Sequence, residues 1–310
     1  IGGRWNRGAN GPNSGTGAPQ SATPGHSILM EHVDGLTVDI ERCDSTAGVT
    51  FVWITDCTDF NASVRGGQVV RTIMQIVGPV RNGRIPYVRG GCNDDLLNIC
   101  GNVYTDQTDT SGDVDGIEVG TIQADGVGGS ALKFNAGVGT TIDGIKVGAI
   151  LGTANVGLFM GDDYAYAATT GGTYGTFRIG YLGTKGFGAN PKSIYFFTPA
   201  IKSITIEDGV LLPFDPIWFQ GSTSSAVVEH MEMKFSVVST VQTFIMRAFQ
   251  SAAFKSIKLN GCQIDLSTTN STVFRVYGTA VVDQFIGDKC RVVMGGTGST
   301  GLLVYETGTM

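Results

Sequence analysis

Along this chain, apolar residues fall at every second position in short runs, and the runs return at a nearly constant interval. Val114-Asp115-Gly116-Ile117-Glu118-Val119-Gly120 is followed by Ile142-Asp143-Gly144-Ile145-Lys146-Val147-Gly148 and by Gly175-Thr176-Phe177-Arg178-Ile179-Gly180. Shorter copies stand at Lys202-Ser203-Ile204-Thr205-Ile206 and Lys255-Ser256-Ile257-Lys258-Leu259. With Ile117, Ile145, Phe177, Ile204, Met231, Ile257 and Phe285 taken as equivalent, the motif recurs about every 28 residues, an interval in the range of repeat proteins. Val119, Val147, Ile179, Ile206, Met233 and Leu259 each follow at the second position after the leading apolar residue. In an extended chain that spacing puts both apolar residues on one face and the residue between them on the other.

A second apolar set lies between these copies, at Leu132, Leu158, Ile194, Ile217, Phe244, Phe274 and Leu302, its steps scattered more widely around the same interval. Two strands per repeat are therefore predicted. Ile28-Leu29-Met30, Val52-Trp53-Ile54, Ile73-Met74 and Leu96-Leu97-Asn98-Ile99 extend the second set upstream. A unit of this length cannot close its own core and buries it by stacking on its neighbours. The expected fold is all-β, a right-handed parallel β-helix, a solenoid of roughly ten turns. Residues 1–27, with a run rich in Gly, Pro, Asn, Ser and Thr, read as an irregular lead-in, and residues 28–310 as one repeat domain. The last predicted strand, Leu302-Leu303-Val304-Tyr305, closes no further turn, so more chain or a partner subunit is expected to cover it. The first residue, Ile1, reads as the start of a fragment or processed product.

Composition sharpens this picture. The chain has 46 glycines and only 15% charged residues, which suits an all-β chain with many tight turns. Glycine has no triplet period, which excludes collagen. The formal net charge of −6 argues against nucleic acid as the partner. There is no apolar run long enough to insert into a membrane as a helix. Cys43, Cys57, Cys92, Cys100, Cys262 and Cys290 make no C-x-x-C pair, and His26, His32 and His230 are scattered, so no metal site is expected. Free thiols suit folding in a reducing cytoplasm. Cys262 and Cys290 share one repeat offset and are expected to stack as thiols in the core. Gly126–Gly129 and Gly295–Gly301 lack the Gly-Lys-Ser/Thr ending of a phosphate loop and read as turns, so no cofactor is expected.

Candidate chemistry sits on three features. The acidic doublets Asp94-Asp95 and Asp162-Asp163 lie before and after their respective strands. They are therefore on the order of 20 Å apart along the strand direction and cannot form one catalytic pair. By the repeat offset, Arg71 and Ser130 are expected beside Asp95, either as a surface ion pair or as a site in which the arginine orients a carboxylate. Arg65, Arg71, Arg81, Arg84 and Arg89 cluster within three predicted turns, which reads first as scattered solvation of an otherwise neutral surface and also admits an acidic glycan. The outward positions of the second strand carry Tyr195, Phe197, Trp218, Arg247, Arg275, Tyr277 and Tyr305. This is a flat ladder suited to stacking on sugars, with Asp162, Asp163 and Asp215 as hydroxyl acceptors, or else to a subunit interface. The column Glu118, Lys146, Arg178, Thr205, Glu232, Lys258 reads as ordinary cross-strand charge pairing.

The chain resembles the pectate-lyase-like superfamily, and within it the phage tailspike depolymerases. Gly2-Gly3-Arg4-Trp5-Asn6-Arg7-Gly8-Ala9-Asn10 is similar to the Gly-Trp-Asp-Gly opening turn of those folds. Gly91-Cys92-Asn93-Asp94-Asp95-Leu96-Leu97-Asn98-Ile99 is similar to their Gly-Asp-Asp-apolar turn. The Asn-Thr-Asp, Gly-His-Gly and Arg-Ile-Lys segments of polygalacturonases are absent. The resemblance implies Asp94 and Asp95 as catalytic acids, while Arg71, Asp162, Asp163, Tyr195, Asp215, Trp218, Arg247 and Tyr277 are candidate substrate contacts by their places in the repeat. It implies a virion-tail homotrimer that meets other tail proteins and binds and hydrolyses bacterial surface polysaccharide, capsule or O-antigen. A non-catalytic receptor-binding virion protein and a secreted polysaccharide lyase are the alternatives.

Overall fold

The computed structural model describes residues 26–46, 50–101, 111–161, 172–188, 190–197, 200–211, 217–220, 227–239, 244–249, 252–266, 272–277, 279–294 and 300–305. Strands account for 75% of the structure, and the described residues contain no helix. All pairings between them are parallel, as expected of apolar strands that return after a long connection. One hydrogen-bonded network holds 25 strands, and a separate sheet joins Ser236–Ser239, Gln263–Leu266 and Arg291–Met294.

The expected right-handed parallel β-helix, an open solenoid of short strands, is corrected by this connectivity. Seven strands close into a parallel β-barrel, and extra strands are added to it. The physical reason lies in the strand lengths. In two of the repeats the two predicted strands do not break at the corner between them: Glu118–Asn135 is one strand of 18 residues carrying both Val119 and Leu132, and Ile145–Gly161 is one of 17 carrying both Val147 and Leu158, whereas in the next repeat Thr173–Gly186 and Lys192–Phe197 stay separate. The bend is absorbed by register shifts around Val127 and by Gly126 and Gly152, at φ +83° and +96°. Between these two strands hydrogen bonding therefore continues around the corner, which short strands ending at each bend would not allow.

The repeat interval reappears as register. Glu118 pairs with Lys146, Lys146 with Arg178, Arg178 with Thr205, Thr205 with Glu232 and Glu232 with Lys258. Ile117, Ile145, Phe177, Ile204, Met231 and Ile257 are buried in one continuous core. One member of the second set shifts: Met246, not Phe244, pairs with Ile217 and Phe274. An alternating pattern is blind to a slip of two residues, because both registers keep the same face inward. Cys262 and Cys290 are free thiols at the same register position, and burial first, with Cys290 adding to it, pushes Cys262 up to about 12.

The glycine that ends each repeat motif has a steric role. A Cβ on Gly148 would stand 2.6 Å from the Gly120 carbonyl oxygen, and one on Gly180 2.6 Å from that of Gly148. Backbone cannot retreat from such a contact as a flexible side chain can. Gly148→Ala is therefore expected to cost about 1–3 kcal/mol in chemical denaturation. Gly287→Ala, which meets no atom within 4 Å, should stay within about 0.5 kcal/mol of the parent.

Candidate functional site

The face opposite the core carries one unbroken column. Trp53, Gln75, Asn98, Lys133, Phe159, Tyr195, Trp218, Arg247 and Arg275 are direct partners on successive strands. Each immediately follows an inward apolar residue, such as Val52, Met74, Leu97, Leu132, Leu158 and Ile194, so alternation turns it outward. The column has two halves. Trp53, Gln75, Asn98 and Lys133 are buried, whereas Phe159, Tyr195, Trp218, Arg247 and Arg275 are half-buried.

The buried half is polar and internally bonded. Thr50 Oγ1 donates to Gln75 Oε1 at 3.3 Å, Gln75 Nε2 to Cys100 Sγ at 3.9 Å, and Cys100 Sγ to Asn98 Oδ1 at 3.1 Å. Burial pushes the Cys100 thiol up to about 12, as it does Cys43, so neither is a thiolate nucleophile at neutral pH. Asp95 sits at the edge of this layer. Its Oδ1 accepts the Ser130 backbone N–H at 2.8 Å, and its Oδ2 lies 3.4 Å from Lys133 Nζ, with side chains only 5% and 7% exposed. Asp94 points elsewhere and is 49% exposed, with Arg71 Nε 3.7 Å and Thr72 Oγ1 3.5 Å from its Oδ2.

Ser130 thus stands beside Asp95 as the repeat offset predicts, but Arg71 pairs with Asp94 instead of Asp95. The doublet lies in the bend between the strands Arg84–Cys92 and Leu97–Cys100, where the turning backbone sends its two carboxylates to different surroundings. Lys133, which completes the Asp95 pair, is a residue that the sequence motifs do not mark. Counting one position past Leu132 would have found it. A buried carboxylate held by an ammonium and a backbone N–H is the arrangement of a structural ion pair.

The half-exposed part of the column is aromatic and cationic. Phe159 and Tyr195 meet edge-to-face with centroids 5.2 Å apart, and Tyr195 lies 6.1 Å from Trp218. The Tyr195 hydroxyl donates to Gln220 Oε1 at 3.0 Å. Lys133 Nζ stands 5.4 Å from the Phe159 centroid, Lys192 Nζ 4.5 Å from that of Trp218 and 5.4 Å from that of Tyr195, and Arg247 Cζ 4.8 Å from that of Trp218. Tyr195, Trp218 and Arg247 therefore come together as predicted, and Phe159, Lys133 and Lys192 join them. Tyr277 ends the strand Thr272–Tyr277 two positions beyond Arg275, with Tyr305 as its strand partner. Asp162, Asp163 and Asp215 lie outside the described residues.

Of the predicted arginine cluster, Arg65 pairs with Asp39 at 2.9 Å and Arg89 with Asp125 at 2.7 Å. These are exposed pairs, screened by solvent, that contribute little to stability. Among the described residues, no three His, Cys, Asp or Glu side chains come together as metal ligands. No family model, curated protein or solved structure matches the chain.

Proposed function

We propose that this chain binds bacterial surface polysaccharide, in the manner of a phage tailspike, along the column Phe159, Tyr195, Trp218 and Arg247. The observation that carries the reading is the run of half-exposed rings on consecutive strands, flanked by long cationic side chains. Parallel strands are about 4.8 Å apart, so the column spans roughly 14 Å, enough for a short oligosaccharide. Aromatic rings offer apolar area to the C–H faces of sugars, and the rim donors meet their hydroxyls. Assembly as a homotrimer and attachment to other virion tail proteins belong to the same proposal.

Hydrolysis is left out of it, because the turn that resembles a catalytic one places Asp95 in a buried ion pair and Asp94 beside Arg71. The test is affinity electrophoresis against purified capsular and O-antigen polysaccharides. Trp218→Ala should weaken binding about tenfold, since losing about 60 Å² of apolar contact removes about 1.5 kcal/mol. Lys146→Ala, in the exposed pair with Glu118, should leave binding unchanged. A protein that retains none of these glycans would refute the proposal.

A further inference from the structure

We infer that Cys262 and Cys290 form a redox-controlled crosslink site, which a small-molecule disulfide closes once the protein leaves a reducing cytoplasm, tying the strand Arg291–Met294 to Gln263–Leu266. The inference extends the surface-polysaccharide reading, in which the protein acts outside the cell that folds it, but its chemistry needs no glycan. The first observation is register. Asn260 pairs with Asp288 and Gln263 with Arg291, so Cys262 and Cys290 are direct neighbours on parallel strands. The Arg291 N–H donates to the Cys262 carbonyl at 2.8 Å. The two thiols also turn the same way. Cys262 Sγ donates to the Met233 carbonyl at 3.5 Å and Cys290 Sγ to the Leu259 carbonyl at 3.3 Å, and Met233 and Leu259 are themselves strand partners. Neighbouring strands stand about 4.8 Å apart, inside the Cα separation of about 4.4–6.8 Å that a disulfide spans. The other four cysteines have no cysteine beside them: Cys43 pairs with Gly67, Cys57 with Val80, Cys92 with Val69 and Val127, and Cys100 with Val77 and Asn135.

The second observation is access, together with what the bond would hold. Cys262 is fully buried and Cys290 half-buried, so a reagent reaches Cys290 first. The Cys290 thiolate attacks one sulfur of a disulfide RSSR, forming a mixed disulfide on Cys290 and releasing one RSH. Cys262 gives up its proton, attacks Cys290 Sγ and expels the second RSH. Two protein thiols are thereby oxidised and one RSSR is reduced to two RSH. Among the described residues, Arg291–Met294 pairs on one side only. Its Val292 is 41% exposed, whereas Ile264, the strand partner of Val292, is 2% exposed. A strand held by one neighbour opens before the core does, and the crosslink fastens it at the corner where it begins.

The probe is glutathione disulfide in excess, followed by alkylation and peptide mapping by mass spectrometry. The wild-type chain should lose two hydrogen atoms and yield one linked peptide pair, Cys262 with Cys290. Cys262→Ser should stop at a single glutathione adduct on Cys290, and Cys290→Ser should acquire neither adduct nor crosslink. Cleavage within residues 291–294 by a non-specific protease should be at least about tenfold slower in the closed wild type than in the reduced one, and dithiothreitol should restore it. Wild-type thiols that stay unlinked, or a crosslink through any other cysteine, overturn the site. A crosslink that leaves the cleavage rate unchanged overturns its role in holding the edge strand. The wild-type readings stand whether or not the serine variants fold, and loss of glycan binding with the crosslink intact counts against the polysaccharide reading alone.

Discussion

The Asp95→Asn variant is expected to lose about 3–5 kcal/mol of stability, because it takes the paired carboxylate away from the buried Lys133 ammonium. The two side chains are 5% and 7% exposed with 3.4 Å between their charged atoms, and Asp95 also satisfies the Ser130 N–H. Removing only the charge keeps the shape and isolates the electrostatic effect. The double variant Asp95→Asn with Lys133→Met should recover a large part of the loss, since the buried ammonium is gone and the thioether can pack over Phe159. Urea denaturation of the four proteins of this cycle gives the coupling energy directly. A single variant as stable as the parent would mean that the ion pair does not hold this corner of the fold, and would return Asp95 to consideration as a functional acid.

Phe177→Ala should cost about 3–5 kcal/mol for a different reason, the cavity it opens. Phe177 is 1% exposed and meets Phe134 edge-to-face at 5.0 Å and Tyr174 at 6.2 Å. The Tyr174 hydroxyl accepts the Ala136 N–H at 3.0 Å and donates to the Phe134 carbonyl at 3.4 Å. The cluster therefore ties together strands that are distant in sequence. Phe177→Leu, which refills most of the volume, should cost less than about 1.5 kcal/mol. Thermal unfolding of the two variants separates lost volume from lost aromatic contact. Equal destabilisation by both would place the energy in the ring geometry and not in the cavity.

The repeat was legible because its physical cause is local. Alternation is a property of any extended strand, and the apolar residues at Ile117, Ile145 and Phe177 mark the buried face with no knowledge of what covers it. The ladder was legible in part for the same reason: Tyr195, Trp218 and Arg247 follow inward residues by one position. Phe159 and Lys133 obey that rule too, but a lone phenylalanine or lysine beside an apolar residue carries no distinct composition signal. Lys192 could not have been placed by alternation at all. It reaches the Trp218 ring from three positions before Tyr195, a contact made by a long flexible stem and not by strand register.

The Asp94-Asp95 doublet marks the boundary of what motif reading can do. Its residues match a catalytic turn in type and order, yet the roles of its two carboxylates depend on Arg71 and Lys133, partners that lie outside the motif on either side of it along the chain. Neither neighbour follows from the motif.

What the amino-acid sequence determined by itself was therefore an all-β chain, its inward and outward faces and an interval of about 28 residues, since strand alternation and repeat period are both written in side-chain type. What only the tertiary structure decided was whether the strands end at each corner or run through it, and so whether they form an open stack or close on themselves. That choice rests on backbone hydrogen bonds carried through the bends near Gly126 and Gly152, and hydrogen bonds between main-chain groups leave no mark on the order of side chains.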